Sequence, residues 1–192
     1  MSEPIVSVLL VIDRAVQDDL LLWPAVARAV ARARPSRLVV LHAAGETAER
    51  ALEAGGFESS LASAPPAAWP TLRRALIEEN RKAAAVLTEE GVSAVPLLGS
   101  SRDLLSRSEA PWFTATVRAG AVPVISAVHQ RGEQPIEAVL DDALLGVARL
   151  LEGPVRIVRL GPEEIPSEVI EDGITGCGAV IYRLEQALLA PD

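Results

Sequence analysis

The segment RLVVLHAAGETAERALEAGG, residues 37–56, contains the strand-to-helix transition that sets the fold class of this chain. A run rich in valine and leucine ends at His42, a short Ala-Ala-Gly turn follows, and an Ala/Glu/Leu helical pattern begins near Glu46. A β-branched run followed directly by a helical pattern is typical of one strand–helix unit of an α/β protein. The junction also raises a functional question, because the amides at a helix N-terminus can bind a small anion. A tight structural turn is the alternative interpretation.

The same alternation recurs along the chain. Apolar runs begin near Ile5, Val92, Ala121 and Val155, and helical spacing of apolar residues predicts helices over residues 24–34, 69–90, 136–151 and 181–189. Strands that alternate with helices predict an α/β fold, a three-layer αβα sandwich with a mainly parallel sheet. We expect one domain over residues 1–192, in which residues 55–70 form a mobile loop over the carboxyl edge of the sheet. A domain linker is the alternative interpretation of this segment.

Prolines interrupt two of the predicted strands. Pro96 and Pro123 lie inside or near the start of their apolar runs. Because proline cannot donate a ladder hydrogen bond, each of them predicts an edge strand or a strand start.

Composition excludes several classes of partner. Hydrophobic residues make up 49% of the 192 residues, and the formal net charge is −8 with scattered basic residues. This charge argues against nucleic acid and against an anionic membrane as the main partner. Cys177 is the only cysteine, so no intramolecular disulfide can form. No apolar run approaches the roughly 18 residues of a membrane span, and we expect a soluble cytoplasmic protein.

The turn after the second strand is the first candidate site. His42, Ala43, Ala44 and Gly45 leave the backbone accessible before the predicted helix, whose amides could bind an anionic ligand. Glu46 at the helix start would satisfy the helix dipole by itself and would repel such an anion.

The loop after the third predicted strand is the second candidate. Gly99 and Ser100 could bond a polar ligand, and Arg102 could pair with a carboxylate. The alternative is an ordinary loop in which a serine caps a helix.

Three further features carry a weaker signal. Gly176 and Gly178 precede the last predicted helix and could form a phosphate cradle or a flexible turn. The Asp141–Asp142 pair stands at a helix start, where acids are stabilised without any catalytic role. His42 and His129 supply too few ligands for a metal, and we expect none.

Taken in order, these motifs resemble the amino-acid kinase superfamily with its carbamate-kinase-like fold, and acetylglutamate kinase most closely. The matching segments are VIDRAV, HAAGE, AVPLLGSSRDLL, RAGAVPVISAVHQRGEQP, EAVLD and GCGAVIYRLEQAL, which begin at residues 11, 42, 94, 118, 137 and 176. The resemblance implies ATP and magnesium as cofactors, a small acidic metabolite such as acetylglutamate as ligand, and pairing of two chains through the long helix.

The resemblance also assigns roles to residues. It implies substrate binding by His42, Ala43, Ala44, Gly45, Gly99, Ser100, Arg102 and Glu137. It implies cofactor binding by Asp13, Gly176 and Gly178, and catalysis by Asp141 and Arg183.

Departures from the family pattern remove much of the expected chemistry. Asp13 stands where the family has a lysine, Ala15 and Val16 replace a glycine pair, and Glu137 replaces an asparagine. Asp141 matches the family's acid, and Arg183 falls where a lysine is expected. The nucleotide-binding half is much shorter than in the family.

Three hypotheses follow. The first is a degenerate, non-catalytic relative, a pseudokinase, that binds a small acidic metabolite or serves as an oligomeric or regulatory scaffold. The second is an active transferase, an ATP-dependent acetylglutamate kinase of arginine biosynthesis. The third is an unrelated α/β protein. We further expect a homodimer through helix 69–90 and its neighbouring strand, and Asp13, His42 and Gly99 at one edge of the sheet.

Overall fold

A computed structural model describes residues 7–19, 21–58, 61, 64–106, 108–130, 133–134, 136, 139–151 and 153–161. The strands of this part are β1 (Ser7–Ile12), β2 (Leu38–His42), β3 (Ala94–Ser100), β4 (Val122–Ser126) and β5 (Val155–Leu160). Its α-helices are α1 (Arg14–Gln17), α2 (Leu22–Ala33), α3 (Glu46–Ala54), α4 (Trp69–Glu89), α5 (Ser101–Leu104), α6 (Ala110–Arg118) and α7 (Leu140–Ala148). A short 3₁₀ helix, Pro66–Ala68, precedes α4.

The described strands form one parallel sheet in the order β3-β4-β2-β1-β5. Ile12 pairs with His42, and His42 pairs with Ser126, so the carboxyl ends of the three inner strands are level. The predicted parallel sheet is therefore confirmed. Asp13, His42 and Gly99 lie at its carboxyl edge, as the sequence predicts.

The two strand prolines occupy the predicted kinds of position. Pro96 lies in β3, which is an edge strand of the described sheet, and Pro123 is the second residue of β4. At both places the missing N–H group is least damaging to the ladder.

Helices cover both faces of the sheet. Leu10 and Ile12 of β1 belong to a core cluster with apolar residues of α2 and α4. Leu9 and Val11 of the same strand belong to a second cluster, with residues of α6 and α7. A strand buried on both faces explains why β1 is apolar at five of its six residues. The three-layer αβα sandwich is confirmed.

A third apolar cluster lies beyond the carboxyl edge and positions the candidate site. It joins α3, the first half of α4 and residues between them, including Leu61, Ala64 and Ala68. Part of the predicted loop 55–70 thus packs at this edge of the sheet.

One predicted helix begins later than expected. The apolar spacing predicts a helix over residues 136–151, whereas α7 begins at Leu140. Ile136 instead donates its backbone N–H to Ala64 O at 2.6 Å and is buried in the third cluster, which draws this residue away from α7. Asp141 and Asp142 lie in the first turn of α7, as predicted.

Several predictions fall outside the described residues. These are helix 181–189 and the proposed roles of Glu137, Gly176, Gly178 and Arg183. In the described part, no helix is both long and apolar enough to cross a bilayer.

Candidate functional site

The N-terminus of α3 binds carboxylates that belong to the protein itself. Glu79, on the buried side of α4, accepts hydrogen bonds from the amide of Gly45 at 3.1 and 3.2 Å and from the amide of Ala48 at 3.1 Å. The amide of Glu46 lies 3.2 Å from both carboxylate oxygens of Asp18. Helix N-terminal amides attract anions because their N–H groups lack partners within the helix. Here two acidic side chains of the chain satisfy them.

Gly45 permits this arrangement. A Cβ atom at this position would lie 2.6 Å from Asp18 Oδ1 and 3.1 Å from Glu79 Oε1, too close for any side chain to be accepted without movement. Ala44 and Gly45 are both buried. The expectation that this turn leaves its backbone accessible is therefore wrong, because α4 and the segment after α1 cover it.

Burial raises the pKa of Glu79 to about 7, although the hydrogen bonds from Gly45 and Ala48 oppose the rise. Asp18 is more exposed and forms an ion pair with Arg14, which also pairs with Glu49 at 2.9 Å. Glu46, expected to satisfy the helix dipole alone, pairs its side chain with Arg50 one turn along α3. Glu46 and Glu49 lie in the first turn of α3, and Glu79 and Asp18 add two further acids at this terminus, so Glu46 does not meet the dipole alone.

His42 belongs to a buried polar network beneath this turn. Its Nε2 atom lies 2.7 Å from Asn80 Oδ1, and its Nδ1 atom lies 2.8 Å from the backbone oxygen of Ala43. Asn80 also donates to the carbonyls of Leu97 and Gly99, at 2.9 and 2.6 Å. Ser126 Oγ donates to Asn80 Oδ1 at 3.0 Å.

Burial lowers the pKa of His42, and the hydrogen bonds to Ala43 and Asn80 only partly oppose this effect. His42 is fully buried, and both of its ring nitrogens have protein partners. Through His42, Asn80 and Ser126 the network joins β2, β3, β4 and α4. Its geometry is that of a structural connection at the sheet edge.

The loop after β3 repeats the internal capping seen at α3. Asp103 Oδ2 accepts a hydrogen bond from the amide of Ser100 at 3.1 Å, and burial raises the pKa of this carboxyl. Gly99 has φ +103°, and a Cβ atom there would lie 2.3 Å from Asp103 Oδ2. Ser100 is the N-cap residue of α5, as the alternative interpretation of this loop predicts.

Arg102 contacts an aromatic ring, although its charge also acts to lower the pKa of the neighbouring Asp103 carboxyl. Its guanidinium carbon is 4.3 Å from the centroid of the Trp69 ring, a cation–π contact. Its backbone N–H donates to Val128 O at 2.7 Å. The structure thus places Arg102 between the third apolar cluster and the loop after β4.

Asp13 and Asp141 are brought together by Arg159. Asp13 Oδ2 accepts hydrogen bonds from Arg159 Nε and Nη2 at 3.2 and 2.9 Å, and Asp141 Oδ1 accepts one from Nη1 at 2.8 Å. The hydrogen bond to Asp13 is the largest cause that raises the pKa of Arg159. These three side chains carry a formal charge of about −1 together, since two carboxylates share one guanidinium.

Sequence analysis did not single out Glu79, Asn80, Asp18, Ser126 or Arg159. A signal for two of them exists: Glu79 and Asn80 lie three and four residues after Leu76, on the apolar stripe of α4. A polar residue on a buried stripe needs an internal hydrogen-bond partner. Within the described residues, no three His, Cys, Asp or Glu side chains are grouped to hold a metal ion.

Comparison with known proteins gives similarity in structure alone. No protein-family model matches the chain, and no curated protein matches it in sequence. An isopentenyl phosphate kinase superimposes with a TM-score of 0.61 and 14% identity, over 94% of this chain and 96% of that one. The isopentenyl phosphate kinase of T. acidophilum gives a TM-score of 0.58 and 14% identity, over 94% and 87%.

An N-acetylglutamate synthase from Neisseria gonorrhoeae gives a TM-score of 0.55 and 14% identity. The match covers 95% of this chain and 51% of that larger chain. The chain therefore has the α/β fold of amino-acid-kinase-like proteins. Sequence identities of 14% support a shared fold, whereas an activity has to be argued from the site itself.

Proposed function

We propose that this chain is a non-catalytic protein with an amino-acid-kinase-like fold, which serves as an oligomeric or regulatory scaffold. One observation carries the proposal: Glu79 and Asp18 already accept the hydrogen bonds of the α3 N-terminus. An acidic substrate at this turn would have to displace both carboxylates, and it would be repelled by them while they remain ionised.

The charge at the end of β1 supports the same proposal. Phosphoryl transfer depends on positioning and on cations that neutralise the transferred group. The resemblance assigns cofactor binding to Asp13 and catalysis to Asp141, and the cation between them, Arg159, is already paired with both. A lost charge contact of this kind reduces the rate on the order of 10³-fold per group.

Two other functions compete with this proposal. Binding of a small acidic metabolite such as acetylglutamate at His42 and Gly45 would require Glu79 to leave the Gly45 amide. An active kinase using ATP and magnesium is favoured by the fold, which solved kinases share.

The test combines binding and turnover. Calorimetry with ATP and magnesium, and coupled assays with acetylglutamate and with isopentenyl phosphate, should give neither saturable nucleotide binding nor phosphoryl transfer. Turnover of about one per second would refute the proposal and establish the kinase. Calorimetric binding of acetylglutamate without turnover would instead support a metabolite pocket on an inactive fold.

A further inference from the structure

A cavity of about 270 Å³ lies beside the α3 N-terminus, between the segment after α1, the start of α2 and the middle of α4. We call it the α1–α4 cavity. One wall is apolar and includes Trp23, Pro24 and Val86. Such a volume admits a ligand smaller than a typical drug.

The polar lining of the α1–α4 cavity consists largely of hydrogen-bond acceptors. Asp18, Asp19 and Glu79 contribute carboxyl groups. Lys82 is the cation among the described lining residues, and its ammonium lies 2.7 Å from Glu78, which does not line the cavity. Asp19 is exposed and forms no ion pair with a described residue, while its Oδ1 accepts one hydrogen bond, from the amide of Leu21.

Gln17 supplies an observation independent of these acids. This side chain lines the cavity and is only 6% exposed, yet its Oε1 atom accepts no hydrogen bond from the described residues. A buried acceptor without a partner is unfavourable unless a ligand or water supplies the donor.

Trp23 is held in place at the wall of the cavity. Its indole N–H donates to the backbone oxygen of Gln17 at 3.3 Å, and its ring meets His42 edge to face with centroids 5.7 Å apart. Aromatic ring faces and carboxylates both attract ammonium groups.

We propose that the α1–α4 cavity binds a small cationic amine that carries a short apolar chain. The ammonium donates to Gln17 Oε1 and faces the carboxylates, and the apolar chain packs on Trp23 and Val86. The proposal does not rest on the absence of kinase activity, because amine binding is measured without nucleotide.

The test uses three ligands with the same apolar chain: n-pentylammonium, neutral 1-pentanol and anionic pentanoate, followed by calorimetry and tryptophan fluorescence. We expect saturable binding of pentylammonium with a dissociation constant of about 1 mM or lower, and at least about tenfold weaker binding of the other two. Equal binding of pentanol, or no saturation by about 10 mM pentylammonium, would overturn the proposal. An equal calorimetric and fluorescence response to magnesium chloride would also overturn the proposal, because it would show that any cation binds the negatively charged groups.

Two variants locate the site. Gln17→Leu should weaken pentylammonium binding about tenfold or more, because it removes the buried acceptor. Asp19→Asn, at an exposed position that does not endanger folding, should weaken it about two- to fivefold. The matched control Asp142→Asn changes the same charge on α7, across the sheet, and should bind as the unsubstituted chain does. Unchanged affinity in both cavity variants, with their fold verified by circular dichroism, would place the amine elsewhere and refute the assignment.

Discussion

Glu79 is the side chain on which the interpretation of the candidate site depends most. It is buried, it bonds two backbone amides of the α3 turn, and burial raises its pKa to about 7. A carboxylate in such a place stabilises the turn through its hydrogen bonds while opposing burial through its charge. Its effect on stability therefore depends on pH.

The first prediction is a pH dependence that Glu79→Gln removes. The pKa of Glu79 rises from 4.5 to about 7 on folding, so between these values the folded state keeps a proton that the unfolded state has lost. Its contribution to the free energy of unfolding is complete below pH 4.5 and falls, by on the order of 3 kcal/mol, as the pH rises through about 7. Urea unfolding across this range should show the fall for the unsubstituted chain relative to Glu79→Gln.

Glu78→Gln is the matched control, because Glu78 is the exposed neighbour on the same helix. It should not remove the fall. Parallel pH profiles for the unsubstituted chain and Glu79→Gln would contradict the prediction.

The second prediction concerns Asn80. Asn80→Ala removes a buried hydrogen-bond partner from His42 Nε2 and from the carbonyls of Leu97 and Gly99, and should lower the free energy of unfolding by about 3 kcal/mol. Arg81→Ala, at the next and exposed position, should stay within about 0.5 kcal/mol. Denaturant unfolding measures both, and equal effects would show that the network contributes little.

At the scale of the element, α3 shows how a helix terminus can be satisfied without a ligand. Its amides at Gly45, Glu46 and Ala48 are bonded by side chains that come from α4 and from the segment after α1. Removing those acids should return the terminus to its intrinsic preference for anions.

The third prediction tests whether the α3 N-terminus binds an anion once these acids are removed. The double variant Asp18→Ala/Glu79→Ala should be less stable than the unsubstituted chain by about 2 kcal/mol or more, because buried amides lose their partners. Inorganic phosphate should then raise the melting temperature of the variant more than that of the unsubstituted chain, since a ligand that binds only the folded state stabilises it. A Glu78→Ala chain should respond to phosphate as the unsubstituted chain does. An equal shift in all three proteins would show that phosphate acts elsewhere.

Elements were predictable from sequence where periodicity alone determines them. The apolar run of β1 and the long stripe of α4 predict elements that the structure confirms, because burial on both faces or on one stripe leaves a direct pattern. The start of α7 was not predictable, because the bridge between Ile136 and Ala64 joins residues far apart in sequence.

The sequence predicts where the candidate site lies, but it does not predict which groups bond the amides there. Parallel topology brings His42, Gly99 and Asp13 to one edge. The partners of the α3 amides depend on packing between α4, α3 and the segment after α1, which no local pattern around Gly45 encodes. The glycine itself indicates a close approach without telling whether protein or ligand makes it.

At the scale of the whole molecule, exposed apolar residues indicate where a second chain could pack. The leucines of α4 are buried against the sheet and its neighbouring helices. On β3, the strand next to α4, Leu98 is 55% exposed, and Trp112 of α6 is 51% exposed beside the same surface cavity. An exposed edge strand is a common place for association.

The fourth prediction is a homodimer that uses this edge of the sheet. Light scattering at micromolar concentration should give twice the mass of 20.3 kDa, and Leu98→Arg should shift it towards one chain. Ile157→Arg is the control, because Ile157 is similarly exposed on β5, at the opposite edge of the sheet that the described strands form. A single-chain mass before any substitution would contradict the prediction.

The space that Gly45 leaves for Asp18 and Glu79 has a consequence for how such a chain could evolve. A chain with this turn that came to bind an anion there would need to lose both acids, because either one alone still occupies part of the α3 turn. Each single loss removes hydrogen bonds on which stability depends, before any ligand replaces them. The single variants would be less stable than the chain with both acids and would gain no anion site in exchange. A glycine in this turn is therefore a poor guide to a working substrate site, because it makes room for the acids of the chain itself.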